Sequence, residues 1–253
     1  MSKEKKINNQ NVEDILPLTP MQEGMLYYHL RGKDDNYYFE QLSLHLSGEI
    51  DLELIEQVWN YVIETNEVLR TVFRWEKLEK PLQIILKEYK VPFKIYNLKG
   101  LDEIHQKERI QEIKAREKDG IDLAENPFRI AIIMPDDNEA LMIISNHHIL
   151  YDGWSNGILL KEFFQTYNVL ATGQSLLKNK KNKFKEFVKW SNNQDVEKAN
   201  QYWSDYLEGF ETKCQLPRAS SQGSGENGTH HIILDKNISN LIHKFIEKNG
   251  ITL

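Results

Sequence analysis

Cysteine is nearly absent from this chain: Cys214 is the only one in 253 residues. That excludes an internal disulfide framework and a cysteine-clustered zinc site. Around it, Thr212-Lys213-Cys214-Gln215-Leu216-Pro217 carries no pattern that would activate a thiolate. Long apolar runs are missing too. The longest are of strand length, far short of the roughly 18 residues that cross a bilayer, so no membrane span is expected. Met1-Ser2-Lys3-Glu4-Lys5-Lys6 is charged and polar residues follow to Asn11, without the apolar stretch of a secretory signal. A cytoplasmic, soluble protein is the expectation. An excess of positive charge is also lacking: the net charge of −6 argues against nucleic acid as a partner.

What is there reads as alternating strands and helices. Thr19 is placed to cap a helix with Pro20 in its first turn, and Met21, Met25, Leu26 and Tyr28 form the apolar stripe. Leu42, Leu44 and Leu46 alternate with polar residues, which predicts a half-buried strand. Asp51 can cap a helix with Leu54, Ile55, Val58, Tyr61 and Val62 on one face. Strands are expected over 71–75, 82–86, 128–134 and 141–145, the last two joined by the turn 135–138. A solvated helix is expected over 103–118. Ile158, Leu159, Phe163, Tyr167 and Leu170 mark an amphipathic helix ending before Gly173. Further helices are expected over 184–192, 196–207 and 238–248, and a strand over 231–234. The lysine-rich run 178–183 reads as a solvated loop that can also steer an acidic partner. Trp190 and Trp203 read as core residues. The pattern as a whole indicates an α/β layer architecture.

One segment carries candidate chemistry. The apolar strand Leu141-Met142-Ile143-Ile144 delivers His147 and His148 to its end, followed by Asp152, Gly153 and a helix. Adjacent strand residues face opposite sides, so one imidazole faces a cleft and the other faces inward. Asp152 can orient a ring or pair with an arginine. The backbone N–H groups of Gly153 and Trp154, at a helix N-terminus, can receive negative charge. Taken alone, a histidine pair on a strand is more commonly structural or a weak metal site than catalytic. A catalytic zinc normally has three protein ligands, and no third beyond Asp152 lies nearby.

His147-His148-Ile149-Leu150-Tyr151-Asp152-Gly153, continued by Trp154-Ser155, resembles the HHxxxDG motif of nonribosomal peptide synthetase condensation domains, of the chloramphenicol-acetyltransferase-like superfamily. Three more segments resemble that family's motifs in order: residues 18–26, residues 67–73, and residues 184–190 with Gln201-Tyr202-Trp203 just after. The Arg-His that usually opens the second is Thr65-Asn66 here. The resemblance implies a chloramphenicol-acetyltransferase-like lobe, a mixed β-sheet flanked by helices, over residues 16–218. It also implies a flexible arm over 1–15, resembling a docking segment, a linker over 219–230, and the beginning of a second lobe over 231–253.

The activity implied is amide formation in antibiotic biosynthesis. An acyl or peptidyl thioester on a donor carrier domain would be joined to the α-amine of an aminoacyl thioester on an acceptor carrier domain. An adenylation domain would stand adjacent in the parent synthetase. No cofactor or metal is expected on this chain; the phosphopantetheine arms would belong to the carriers. His148 would face the reacting atoms, as base or as positioning group, and the Gly153 N–H would stabilise the oxyanion. His147, Asp152 and Arg70 would support the site, Arg70 by holding Asp152. The family's later motifs do not occur in the sequence, so residues 1–253 alone are expected not to catalyse condensation. The alternatives are an epimerisation domain of the same superfamily, or a carrier-docking fragment without catalysis.

Overall fold

The computed structural model describes residues 8–31, 37–176, 181–211 and 232–252. They form two compact units, residues 1–196 and 197–253. In the first, β1 (Val12–Pro17) is followed by α1 (Pro20–Arg31), β2 (Phe39–Ser47), α2 (Leu52–Thr65), β3 (Thr71–Arg74) and β4 (Leu82–Leu86). Then come β5 (Phe93–Asn97), α3 (Glu103–Asp119), β6 (Phe128–Met134), β7 (Glu139–His147), α4 (Gly153–Ala171) and α5 (Phe184–Asn192). The second unit holds most of α6 (Val196–Tyr206) and all of α7 (Lys236–Asn249).

The larger sheet runs β2-β7-β6-β5, antiparallel except for the parallel pair β5 and β6. Strands β6 and β7 are central, and their near-continuous burial matches their unbroken apolar sequence. Two cores lie on opposite faces. On one, Val58, Trp59 and Val62 of α2 and Leu159 and Phe163 of α4 pack with Ile130, Ile132, Met142 and Ile144. On the other, Ile113 of α3 packs with Ala131, Ile133, Leu141 and Ile143. This is the mixed sheet between helices that the sequence implied.

Local chemistry explains the helix starts. Asp51 accepts the Leu54 N–H at 2.9 Å, and Asp102 accepts from Ile104 and His105. Thr19 and Gln22 form a reciprocal capping box: Gln22 N–H donates to Thr19 Oγ1 and Thr19 N–H donates to Gln22 Oε1. The α7 helix ends on Gly250 at φ 60, a left-handed turn that glycine adopts without penalty.

Several expectations fail. Residues 12–15 are not a loose arm but part of β1, which pairs with β4 in a small sheet of order β1-β4-β3. Strand β5 was not anticipated. Ile232, Ile233 and Leu234 form no strand. Trp190 and Trp203 are exposed rather than in a core. Lys181 and Lys183 are not free in solvent: Lys181 pairs with Glu162, and Lys183 with Glu13 and Glu67. Residues 1–7 of the expected arm, Lys178 to Lys180 of the lysine run, Cys214, the linker 219–230 and His231 lie outside the described residues.

Beneath α3, Glu117 is buried and takes Arg129 at 2.9 Å, Lys94 at 3.1 Å and the Tyr96 hydroxyl at 2.8 Å. The Arg129 guanidinium lies against Gly120, where a Cβ would fall 1.3 Å from Nη1. A Gly120→Ala variant must therefore displace Arg129 from its buried partner. It is expected to lose roughly 1–3 kcal/mol, read as a lower urea midpoint at unchanged slope; an unchanged midpoint would show that the guanidinium has room to move.

Candidate functional site

The site forms where β7 ends. Along β7, Ala140, Met142 and Ile144 face the α2 and α4 core, while Leu141 and Ile143 face α3. His147 continues the second series and His148 the first. His147 pairs with Phe39, and His148 N–H donates to Tyr38 O at 2.7 Å. Tyr38 holds φ 62, a left-handed conformation uncommon outside glycine.

The two imidazoles differ sharply. His147 is 1% exposed. Its Nδ1 accepts the Ile149 N–H at 3.1 Å, so the neutral ring carries its proton on Nε2. Its ring meets His29 of α1 edge-on at 5.0 Å. Burial first, then the neighbouring His29 and His148, push its pKa down to about 3. Its surroundings favour the neutral ring. His148 is half-buried, and its Nδ1 lies 2.8 Å from Glu40 Oε1. That nitrogen makes no aligned hydrogen bond among the described residues, so the carboxylate is a close neighbour rather than a linear acceptor.

Asp152 is the N-cap of α4. It accepts the Ser155 N–H at 3.1 Å and the Ser155 hydroxyl at 3.0 Å, and these bonds hold its carboxyl below the usual range. Gly153 opens the helix, with no atom within 4 Å of where a Cβ would stand. Its N–H belongs to the first turn, which has no intrahelical acceptor.

Arg70 does not hold Asp152. It is buried and donates to Glu13 Oε2 at 2.8 Å, to Ile63 O at 3.1 Å and to Leu86 O. Lys183 and then Arg70 hold Glu13 below the ordinary carboxylate range. Arg70 therefore ties β1 to the end of β4, because a nearer carboxylate was available in a strand that the sequence had not revealed. Thr65 and Asn66 both bond to Glu162 of α4, and Lys181 joins them.

Two supporting residues were missed. Gln22 Nε2 donates to Ile149 O at 3.1 Å, so the capping box of α1 also holds the loop after His148. Glu40 was the other. It stands in phase with Leu42, Leu44 and Leu46, and a carboxylate on the apolar side of an alternating strand was a legible anomaly.

The chain matches the family model described as Condensation domain over residues 12–253. It is 37% identical over 213 residues to surfactin synthase subunit 2 of Bacillus subtilis (strain 168), covering 83% of this chain and 6% of that protein. It is 31% identical over 247 residues to bacitracin synthase 1 of Bacillus licheniformis, covering 96% and 5%. Among solved structures, the starter condensation domain of rhizomide synthetase RzmA superposes with a TM-score of 0.67 at 16% identity, covering 77% of this chain and 50% of that one. The epimerization domain from the third module of tyrocidine synthetase B gives 0.70 at 24%, covering 84% and 48%. The chain thus spans a small part of those curated relatives and about half of those solved chains. Among the described residues no helix is long and apolar enough to cross a membrane.

The buried His147 generates a pH prediction. Its folded pKa of about 3 lies below the unfolded value of about 6.5, so between them the unfolded chain binds more protons and stability falls as pH falls. This residue is expected to remove about 2 kcal/mol between pH 8 and pH 5. In His147→Phe the difference between urea unfolding at the two pH values should shrink accordingly; an unchanged difference would mean His147 is not neutral in the fold.

Proposed function

This chain belongs to the condensation-domain family, and from that premise we propose that it supplies the histidine side of an amide-forming site. The donor is an acyl or peptidyl thioester and the acceptor an aminoacyl thioester. Each is carried on the phosphopantetheine arm of a carrier domain, with an adenylation domain adjacent in the parent synthetase. The acceptor's α-amine attacks the thioester carbonyl. A C–N bond forms, the C–S bond breaks, and the amine's proton passes by way of His148 to the departing thiolate.

The observation that carries this reading is the inequality of the two histidines. His147 has its Nδ1 engaged and its basicity suppressed by burial, whereas His148 is half-buried at the strand's end. An imidazole at this position can accept the proton as the bond forms. The same side chain also orients the amine. Gly153 N–H, in the first turn of α4, is the donor proposed for the tetrahedral oxyanion. Asp152 contributes by capping that turn.

The solved relatives extend well beyond the half that matches, and the reading assigns the rest of the substrate channel to that remainder. Amide formation is therefore expected from a chain spanning the whole domain and not from residues 1–253 alone. In the whole domain, with loaded donor and acceptor carriers, His148→Ala should lower amide formation on the order of 10²-fold or more while carrier binding persists. Wild-type turnover in that variant would sink the assignment, and inversion of a Cα centre without amide product would replace it with epimerisation.

A further inference from the structure

The contact between Glu40 and His148 is not required by the motif that carries the histidines. Glu40 sits on β2 opposite Asn146, so it lies diagonally across the strand pair from His148, within reach of a long side chain. Asn146 is 1% exposed and donates from Nδ2 to Glu40 Oε2 at 3.3 Å. That bond occupies one carboxylate oxygen and leaves Oε1 facing His148 Nδ1 at 2.8 Å. Both partners are half-buried, 27% and 32% exposed at the side chain, so the pair is only partly open to water. Burial, and then the same carboxylate, raise the pKa of the Tyr151 hydroxyl. The other titratable groups around the ring are His147, neutral, and Asp152, committed to Ser155.

We propose that Glu40 is a positioning residue: held by Asn146, it keeps the neutral His148 ring in the tautomer protonated on Nδ1, leaving Nε2 as the ring's acceptor nitrogen. A carboxylate is an acceptor only, so next to a neutral imidazole it selects the nitrogen that carries hydrogen. Without Glu40, both tautomers are accessible, and the one protonated on Nε2 cannot accept a proton from an amine. The consequence for catalysis rests on the assignment of His148 to the reacting amine; the tautomer itself does not.

Long-range ¹⁵N–¹H correlation spectra of the 253-residue chain, at about pH 8.5 and so above the ordinary histidine range, separate the two. The His148 ring signals are those lost in His148→Gln. Wild type is expected to show His148 protonated on Nδ1, and Glu40→Ala to lose that pattern in favour of protonation on Nε2. Glu40→Gln, which preserves shape and one acceptor oxygen, should retain the Nδ1 pattern, and guards against a misfolded alanine variant. Nε2 protonation in wild type, or an unaltered pattern in a folded Glu40→Ala, overturns the proposal whatever the activity. In the whole domain, Glu40→Ala should lower kcat for amide formation on the order of 10²-fold with KM little changed, and Glu40→Gln should restore most of it. If Glu40→Ala changes the tautomer but His148→Ala leaves turnover intact, the positioning holds and the catalytic reading of His148 fails.

Discussion

The structure depends on β7 being paired on both edges and covered on both faces. Its pairing with β2 runs in unbroken register from Ser47 opposite Glu139 to Phe39 opposite His147, and β6 fixes the other side. A strand so held cannot rotate about its axis, and a slip of one residue would exchange every side chain between the two cores. The site at its C-terminal end inherits that constraint. Adjacent residues of an extended chain face opposite sides, so the two rings diverge at the end of β7, His147 buried and His148 half-buried. The difference in surroundings between two chemically identical rings is a backbone property.

Around this fixed point the loop from Ile149 to Asp152 is secured by groups that serve other elements as well. Gln22 caps α1 and holds the Ile149 carbonyl. His147 receives the Ile149 N–H. Asp152 starts α4. Each is a local requirement of a helix or turn, since orphan backbone groups must find partners. Together they fix the backbone on either side of His148.

The long, strongly patterned elements were legible in the sequence, and so was the burial of one of the two adjacent histidines and not the other, because period-two alternation is geometric. Strand β1 was hidden by Glu13, Asp14 and Pro17, which suit an edge strand with only Leu16 fully buried. Strand β5 is likewise an edge, with just five residues and two polar ones. The Arg70 assignment failed for a related reason. Composition names the carboxylates a guanidinium can bind but not which one the topology brings near. Here Glu13 arrived on the unseen β1. Trp190 and Trp203 were misjudged because aromatic content signals burial somewhere, and does not say against what; on α5, the exposed Trp190 meets Phe187, which in turn meets Phe184.

Glu40 shows where a sequence reading had more to yield. Leu42, Leu44 and Leu46 establish which side of β2 faces the core, and the same parity extends back to Glu40. An ionisable group on that side is costly unless partnered, so its persistence implies a partner near the strand's start. The antiparallel pairing of β2 with β7 then supplies the candidates, Asn146 directly opposite and His148 on the diagonal. Strand parity thus locates the carboxylate, and the cost of its desolvation points to the group it serves.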